Sequence, residues 1–247
     1  MAASLGAIGI MVPAAPQTGF PYEPDPECGF CPRLAAFRTS LKVQQPGWHN
    51  APVPIFGARD AHLLIVGLAP GLNGANRTGR PFTGDFAGEL LYETLIEYGF
   101  AAGTYRARSD DGLRLVSGAI TNAVRCVPPQ NKPAPSEIAN CRPFLAKTIM
   151  AMPNLRAIVA LGRIAHESIV RAYGLRLSVC PFVHGSEYVL GGSPDGEAAA
   201  IGALASAKPV LLFDSYHCSR YNTNTGVLTK DMFRAVFGKV RERLGTL

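Results

Sequence analysis

The sequence predicts an α/β protein, a three-layer α/β/α sandwich built on a central four-stranded parallel sheet. Three observations lead there. Four short apolar runs stand at 62–66 (HLLIV), 119–124 (AITNAV), 157–161 (AIVAL) and 209–213 (PVLLF), each nearly continuous rather than alternating, as strands buried on both faces read. Segments of helical periodicity lie between them, and strand alternating with helix implies a parallel sheet covered on both sides. The chain has 247 residues, 47% of them apolar, enough for one domain with a sizeable core.

The elements follow in chain order. Residues 1–20 (MAASLGAIGIMVPAAPQTGF) are apolar but have no positive stretch ahead of the apolar part. That pattern argues against a signal peptide and reads as an N-terminal arm to a single domain over 21–247. After the first strand, residues 87–98 place Leu90, Leu91, Leu95 and Tyr98 on one face, with Gly99 as a stop. Pro135 and Ser136 open a helix to about Met150 that Pro143 should bend. Residues 163–173 form a helix closed by Gly174, and a last helix starts after the N-cap Thr229 with Met232, Phe233, Val236, Phe237 and Val240 facing inward. The Gly- and Ala-rich stretch 185–207 reads as a surface excursion.

A net charge of +6 and a pI near 9.1 favour a polyanionic partner. No run approaches the ~20 apolar residues of a membrane span, so a soluble, cytoplasmic protein is expected. Six cysteines stand at 28, 31, 126, 141, 180 and 218. In a chain of this length they point to metal, cluster or redox chemistry rather than to a secreted disulfide framework. The pairs Cys28/Cys31 and Cys126/Cys141 can close on one site if the fold brings them together, and four thiolates suit either zinc or a [4Fe–4S] cluster. Scattered buried thiols are the alternative, and packing is the role expected of Cys180 and Cys218.

In a parallel α/β sheet, ligands sit beyond the carboxyl ends of the strands. The segments expected there are 67–86, 125–135, 162–163 and 214–226. They supply Phe82, able to stack on a flat ring, and Asp85, able to act on water or on developing positive charge. Asn122 has an amide complementary to a nucleobase edge, and His217 stands just past a strand end with Arg220 nearby. Each has an ordinary structural alternative: core packing for Phe82, a helix N-cap for Asp85, and internal hydrogen bonding for Asn122 and His217.

The motifs GLAPGLNGANRTGRPFTGD, TNAVRC followed by PAPSEIANC, VALGRIAH and SYHCSRYNTNTGVLT together resemble the family 5, or B-type, branch of the uracil-DNA glycosylase superfamily, from Cys28 to the last helix. The resemblance implies a [4Fe–4S] cluster on Cys28, Cys31, Cys126 and Cys141, far from the chemistry and structural in role. It implies a monomer acting on DNA that contains uracil or other deaminated bases, as a monofunctional glycosylase of base excision repair. Phe82 would stack on the flipped base, Asn122 would read its edge, His217 would donate to the departing uracil O2, and Asp85 would serve the sugar or the water. Gly67, Ala69 and Gly71 belong to the same substrate site. Ala69 stands where the best-known branch has a water-positioning aspartate, and Gly71 where that branch has a tyrosine that blocks the thymine methyl. The change at Gly71 implies a broader range, uracil first and then hypoxanthine, xanthine or ethenocytosine. Arg77, Arg80, Ser219, Arg220 and Tyr221 are the expected DNA contacts. The family's His-Pro-Ser-x-Gln-Asn motif reads His217-Cys218-Ser219-Arg220-Tyr221-Asn222 here, which loosens the loop and puts an aromatic ring where an amide would reach. Two rival readings are a uracil-DNA binding protein without turnover and a cluster-bearing redox or sensor protein.

Overall fold

The structure is a computed structural model and describes residues 19–192, 204 and 208–245. Most of the expected N-terminal arm and of the 185–207 excursion lies outside the described residues. Phe20, within the expected arm, is buried in the core, so the folded domain starts at or before it.

The helices are α1 (Pro32–Gln44), α2 (Ala75–Thr78), α3 (Phe86–Glu97), α4 (Pro135–Ala151), α5 (Arg163–Ala172), α6 (Arg220–Asn224) and α7 (Lys230–Gly245). The strands are β1 (Phe56–Gly57), β2 (Leu63–Gly67), β3 (Ala101–Ala102), β4 (Arg114–Leu115), β5 (Gly118–Asn122), β6 (Ala157–Leu161), β7 (Glu187–Leu190) and β8 (Val210–Ser215). Four parallel strands run β5-β2-β6-β8 at the centre, as expected, but the sheet has six strands. β1 and β7 add antiparallel edges to β5 and β8. β7 lies inside the stretch read as a surface excursion. Only Leu190 of its four residues is buried, so it carries too little apolar pattern to announce itself. β3 and β4 form a separate two-stranded ribbon.

The central strands are buried on both faces, and their side chains divide by parity. Leu64, Val66, Ala119, Ile158, Ala160 and Leu212 pack with Leu145 and Ile149 of α4 and Ala165 and Ile169 of α5. Leu63, Ile65, Ile120, Val159, Leu161 and Phe213 pack with Leu91 and Leu95 of α3 and Phe233 and Phe237 of α7. The helix signals act as read. The Asp85 carboxylate caps α3 by accepting the Gly88 N–H at 3.2 Å, and Thr229 Oγ1 accepts the Met232 N–H at 3.1 Å. Helix α4 runs on through Pro143. Helix α1, not foreseen, buries only Leu34, Arg38 and Leu41.

The sheet order puts β5 and β6 on opposite sides of β2. A crevice therefore opens past its carboxyl end, where the loops after β2, β5, β6 and β8 converge.

One expected DNA contact is corrected by the packing. Arg80 is 5% exposed and bound through two nitrogens, both at 2.7 Å, to the Asp111 carboxylate. Its Nε donates to Thr83 Oγ1 at 2.7 Å, and its guanidinium lies among the rings of Phe56, Tyr92 and Tyr105. Arg80 is therefore a clamp beneath the 81–84 turn, with these donors turned into the protein rather than outward. Breaking a buried pair by removing one partner typically costs about 3–5 kcal/mol, so Asp111→Asn should lower unfolding free energy by that order in urea titrations.

Candidate active site

A cavity of about 690 Å³ lies at this edge of the sheet, lined in part by Ala69, Gly71, Phe82, Asp85, Asn122 and His217, with Ser219, Arg220 and Tyr221 at one side. Segments from all four loops meet there, as expected. Leu72, Asn73, Asn131, Arg163 and Ile164 line it too and were not foreseen. Of these, Leu72, Asn73, Asn131 and Arg163 all stood in segments assigned to this edge.

Glycine makes the close approaches possible. An added Cβ at Gly67 would lie 2.4 Å from both Asn122 Oδ1 and Phe82 Cζ, so the end of β2 can carry no side chain beneath the amide and the ring. Gly71 and Gly74 do the same for Asp85, whose Oδ2 would stand 3.0 and 2.4 Å from their added Cβ atoms. The residue lacking at 71 thus opens the pocket and makes room for the carboxylate.

Phe82 has φ +52°, a conformation that a bulky residue adopts only when its surroundings impose it. The surroundings are on hand: Tyr105 donates to the Phe82 carbonyl at 3.2 Å, Tyr92 to the Pro81 carbonyl at 2.6 Å, and Thr78 to the Thr83 carbonyl at 3.1 Å. The Phe82 and His217 rings lie 5.9 Å apart at 28°.

Asn122 is 4% exposed, yet its carboxamide finds no hydrogen-bond partner among the described residues. The His217 imidazole finds none either. Burial alone lowers its pKa to about 4, so it is neutral at physiological pH with one N–H to donate. Asp85 keeps its capping role and also lines the cavity. Burial raises its pKa against the lowering effect of the Gly88 and Ala87 amides.

Of the remaining expected contacts, Ser219 caps α6 by accepting the Asn222 N–H at 3.3 Å. Arg220 lies over the Phe86 ring at 5.2 Å, and Tyr221 is 74% exposed at the rim. Arg77 is exposed and donates to the Asn73 carbonyl at 2.8 Å. It stands outside the cavity wall.

The four cysteines at 28, 31, 126 and 141 line one small cavity between α1, α4 and the segment after β5. Among the described residues, no three His, Cys, Asp or Glu side chains close around a single ion. Donors point at the sulfurs: Arg38 at Cys126 Sγ (2.6 Å), the Arg125 N–H at Cys141 Sγ (3.3 Å) and Asn140 at Cys31 Sγ (3.9 Å). Cys180 and Cys218 are buried in the two sheet cores, as expected. The cysteine nucleus is not remote from the site, for Ala69 packs against it and lines the larger cavity as well.

An aromatic face and two unpartnered polar groups on one crevice define a site for a flat ring with hydrogen-bonding edges, where α/β enzymes hold their ligands. Residues 54–241 match the profile of the uracil DNA glycosylase superfamily. A type-5 uracil-DNA glycosylase of Thermus thermophilus is 42% identical over 224 residues, 88% of this chain and 94% of the relative. One from Pyrobaculum aerophilum is 33% identical over 224 residues, 89% and 90% of the two chains. A type-4 uracil-DNA glycosylase of Sulfurisphaera tokodaii is 32% identical over 194 residues, 77% and 73%. The chain belongs to the uracil-DNA glycosylase superfamily, in its type-5 branch.

The state of His217 can be read directly. In an NMR pH titration its imidazole should stay neutral down to about pH 4, well below the ordinary histidine value of about 6.5.

Proposed function

We propose that this chain is a monofunctional DNA glycosylase that flips uracil, and other deaminated or damaged bases, out of DNA and hydrolyses the N-glycosidic bond to start base excision repair. The observation that carries the reading is the pairing of two unsatisfied polar side chains, Asn122 and His217, with the Phe82 ring in one cavity. A flipped pyrimidine needs a face to stack on and partners along its edge. Phe82 supplies the first, and the Asn122 amide offers a donor and an acceptor for the second.

When the bond between C1′ and N1 breaks, its electron pair leaves with the base and the sugar becomes cationic. The neutral His217 donates a hydrogen bond to O2 of the departing anion, an interaction strengthening as charge develops. The Asp85 carboxylate faces the cationic sugar, and water then adds to C1′ to give an abasic site and free base. No lysine is among the residues lining the cavity, which supports hydrolysis without a Schiff base. Arg220, Tyr221 and Ser219 at the rim, together with Arg77, serve as DNA contacts, and Arg163 joins them. The open space at Gly71 supports the broad range of bases. In this reading the protein acts as a monomer in the cytoplasm.

In the same reading Cys28, Cys31, Cys126 and Cys141 would hold a [4Fe–4S] cluster. Four thiols face one space, and N–H donors aimed at three of them would stabilise thiolate charge. The surrounding contacts support a structural role: Arg33 pairs with Glu137 at 2.7 Å, and Phe30 stacks on Phe144 at 6.0 Å, so this corner holds the start of α1 and the segment before it against α4.

Two measurements test the reading. Anaerobically purified protein should carry about four irons per chain, falling to background when Cys126 and Cys141 are both replaced by serine. On an end-labelled duplex with one U opposite G, alkali should reveal cleavage that Asp85→Asn reduces at least tenfold. Because burial raises the Asp85 pKa and the reaction needs the carboxylate, activity should fall as pH drops through a value above the ordinary aspartate range. That acid limb should vanish in Asp85→Asn. A duplex bound through its uracil but never cut would mark a non-catalytic reader.

A further inference from the structure

The segment that carries His217 leaves the sheet at Ser215, the last residue of β8 in register with β6. The next N–H, that of Tyr216, has no strand to pair with. A side chain takes the strand's place: Tyr216 donates to His184 Nδ1 at 3.0 Å. The His184 imidazole also lies flat on the Tyr216 ring, centroids 4.9 Å apart and planes at 15°. Burial and the nearby Lys239 favour the neutral ring, the form that can accept at Nδ1. The Met232 backbone of α7 is close enough to favour the protonated ring.

The loop bearing His184 is itself fixed. Gly185 N–H donates to the Asp214 carbonyl at 2.8 Å, and Asp214 N–H to the Ser186 carbonyl at 3.1 Å. The Asp214 carboxylate, fully buried, meets His166 Nδ1 at 2.7 Å. Beyond His217, Asn222 Nδ2 donates to the His217 carbonyl at 2.8 Å, and the Cys218 thiol to the Ala87 carbonyl at 3.5 Å. With no hydrogen-bond partner of its own among the described residues, the His217 ring, stacked near Phe82, is aimed by the backbone on either side of it.

We propose that His184 is a positioning residue: by accepting the first N–H beyond the sheet it fixes the Tyr216 peptide and so aims the His217 imidazole at the departing base. This rests on the reading of His217 as the donor to that base.

The test compares wild type with His184→Phe, His184→Asn, His217→Asn and the double variant His184→Phe/His217→Asn. It uses single-turnover release of uracil from a U·G duplex and separate measurement of duplex affinity. Small misplacements of a catalytic group cost up to about a hundredfold, so His184→Phe should slow release tenfold or more with affinity changed less than about twofold. His184→Asn, whose amide oxygen can accept from Tyr216, should keep most of the rate. Should the Phe variant fail to fold, His184→Ala, which withdraws the acceptor from Tyr216, should be the slow one beside Asn. In the His217→Asn background the change to Phe should cost nothing further, as when one residue acts through another. A wild-type rate in His184→Phe, full additivity in the double variant, or an Asn variant as slow as Phe would overturn the proposal. A wild-type rate in His217→Asn is a different result: it removes His217 from the chemistry and the proposal with it.

Discussion

Strand β2 ends in a residue that cannot have a side chain, since a Cβ at Gly67 would occupy space already held by Asn122 Oδ1 and Phe82 Cζ. The constraint ties three elements together. Gly67 pairs with Asn122 in the parallel register of β2 and β5, so the amide is delivered by the sheet itself. Phe82 is delivered by a turn strained at its own backbone, which Tyr92, Tyr105, Thr78 and the buried Arg80 hold from behind. Rigid delivery from sheet and turn, rather than adaptable loops, is what a pocket for a flat ring requires.

Burial then sorts the titratable groups. A low-polarity wall disfavours charge whichever sign it has, so His217 becomes a neutral donor and Asp85 a carboxylate held at some cost. Two backbone amides at the start of α3 offset part of that cost. The helix cap and the site are therefore one structure, and the two readings of Asp85 available from the sequence do not compete.

The sequence made the centre of the fold legible and its edges illegible. Four nearly continuous apolar runs sit within two residues of the parallel strands, because burial on both faces leaves few polar residues to interrupt them. β1, with two residues, and β7, with one buried residue of four, have no such pattern. The polar groups of the site were legible as types at strand ends. Arg80 was misread because a guanidinium in a basic chain looks like a phosphate ligand until Asp111, 31 residues on, appears against it. Arg163 and Asn131 were missed for the opposite reason: a lone polar residue beside a helix start or a turn has no pattern that separates it from ordinary surface. The nearness of the cysteines to the site could not be read either, since Ala69 packs against their nucleus and lines the larger cavity only in three dimensions.

That shared residue has a consequence for volume. One methyl group at position 69 touches the wall of the base cavity and the nucleus around Cys126 and Cys141. In an interior packed to crystal density, a longer side chain there must take its space from one compartment or the other, and a shift of the cysteines must press on the same methyl. The room allotted to a base is thus set partly by how tightly the nucleus around Cys126 and Cys141 is packed on the other side of it.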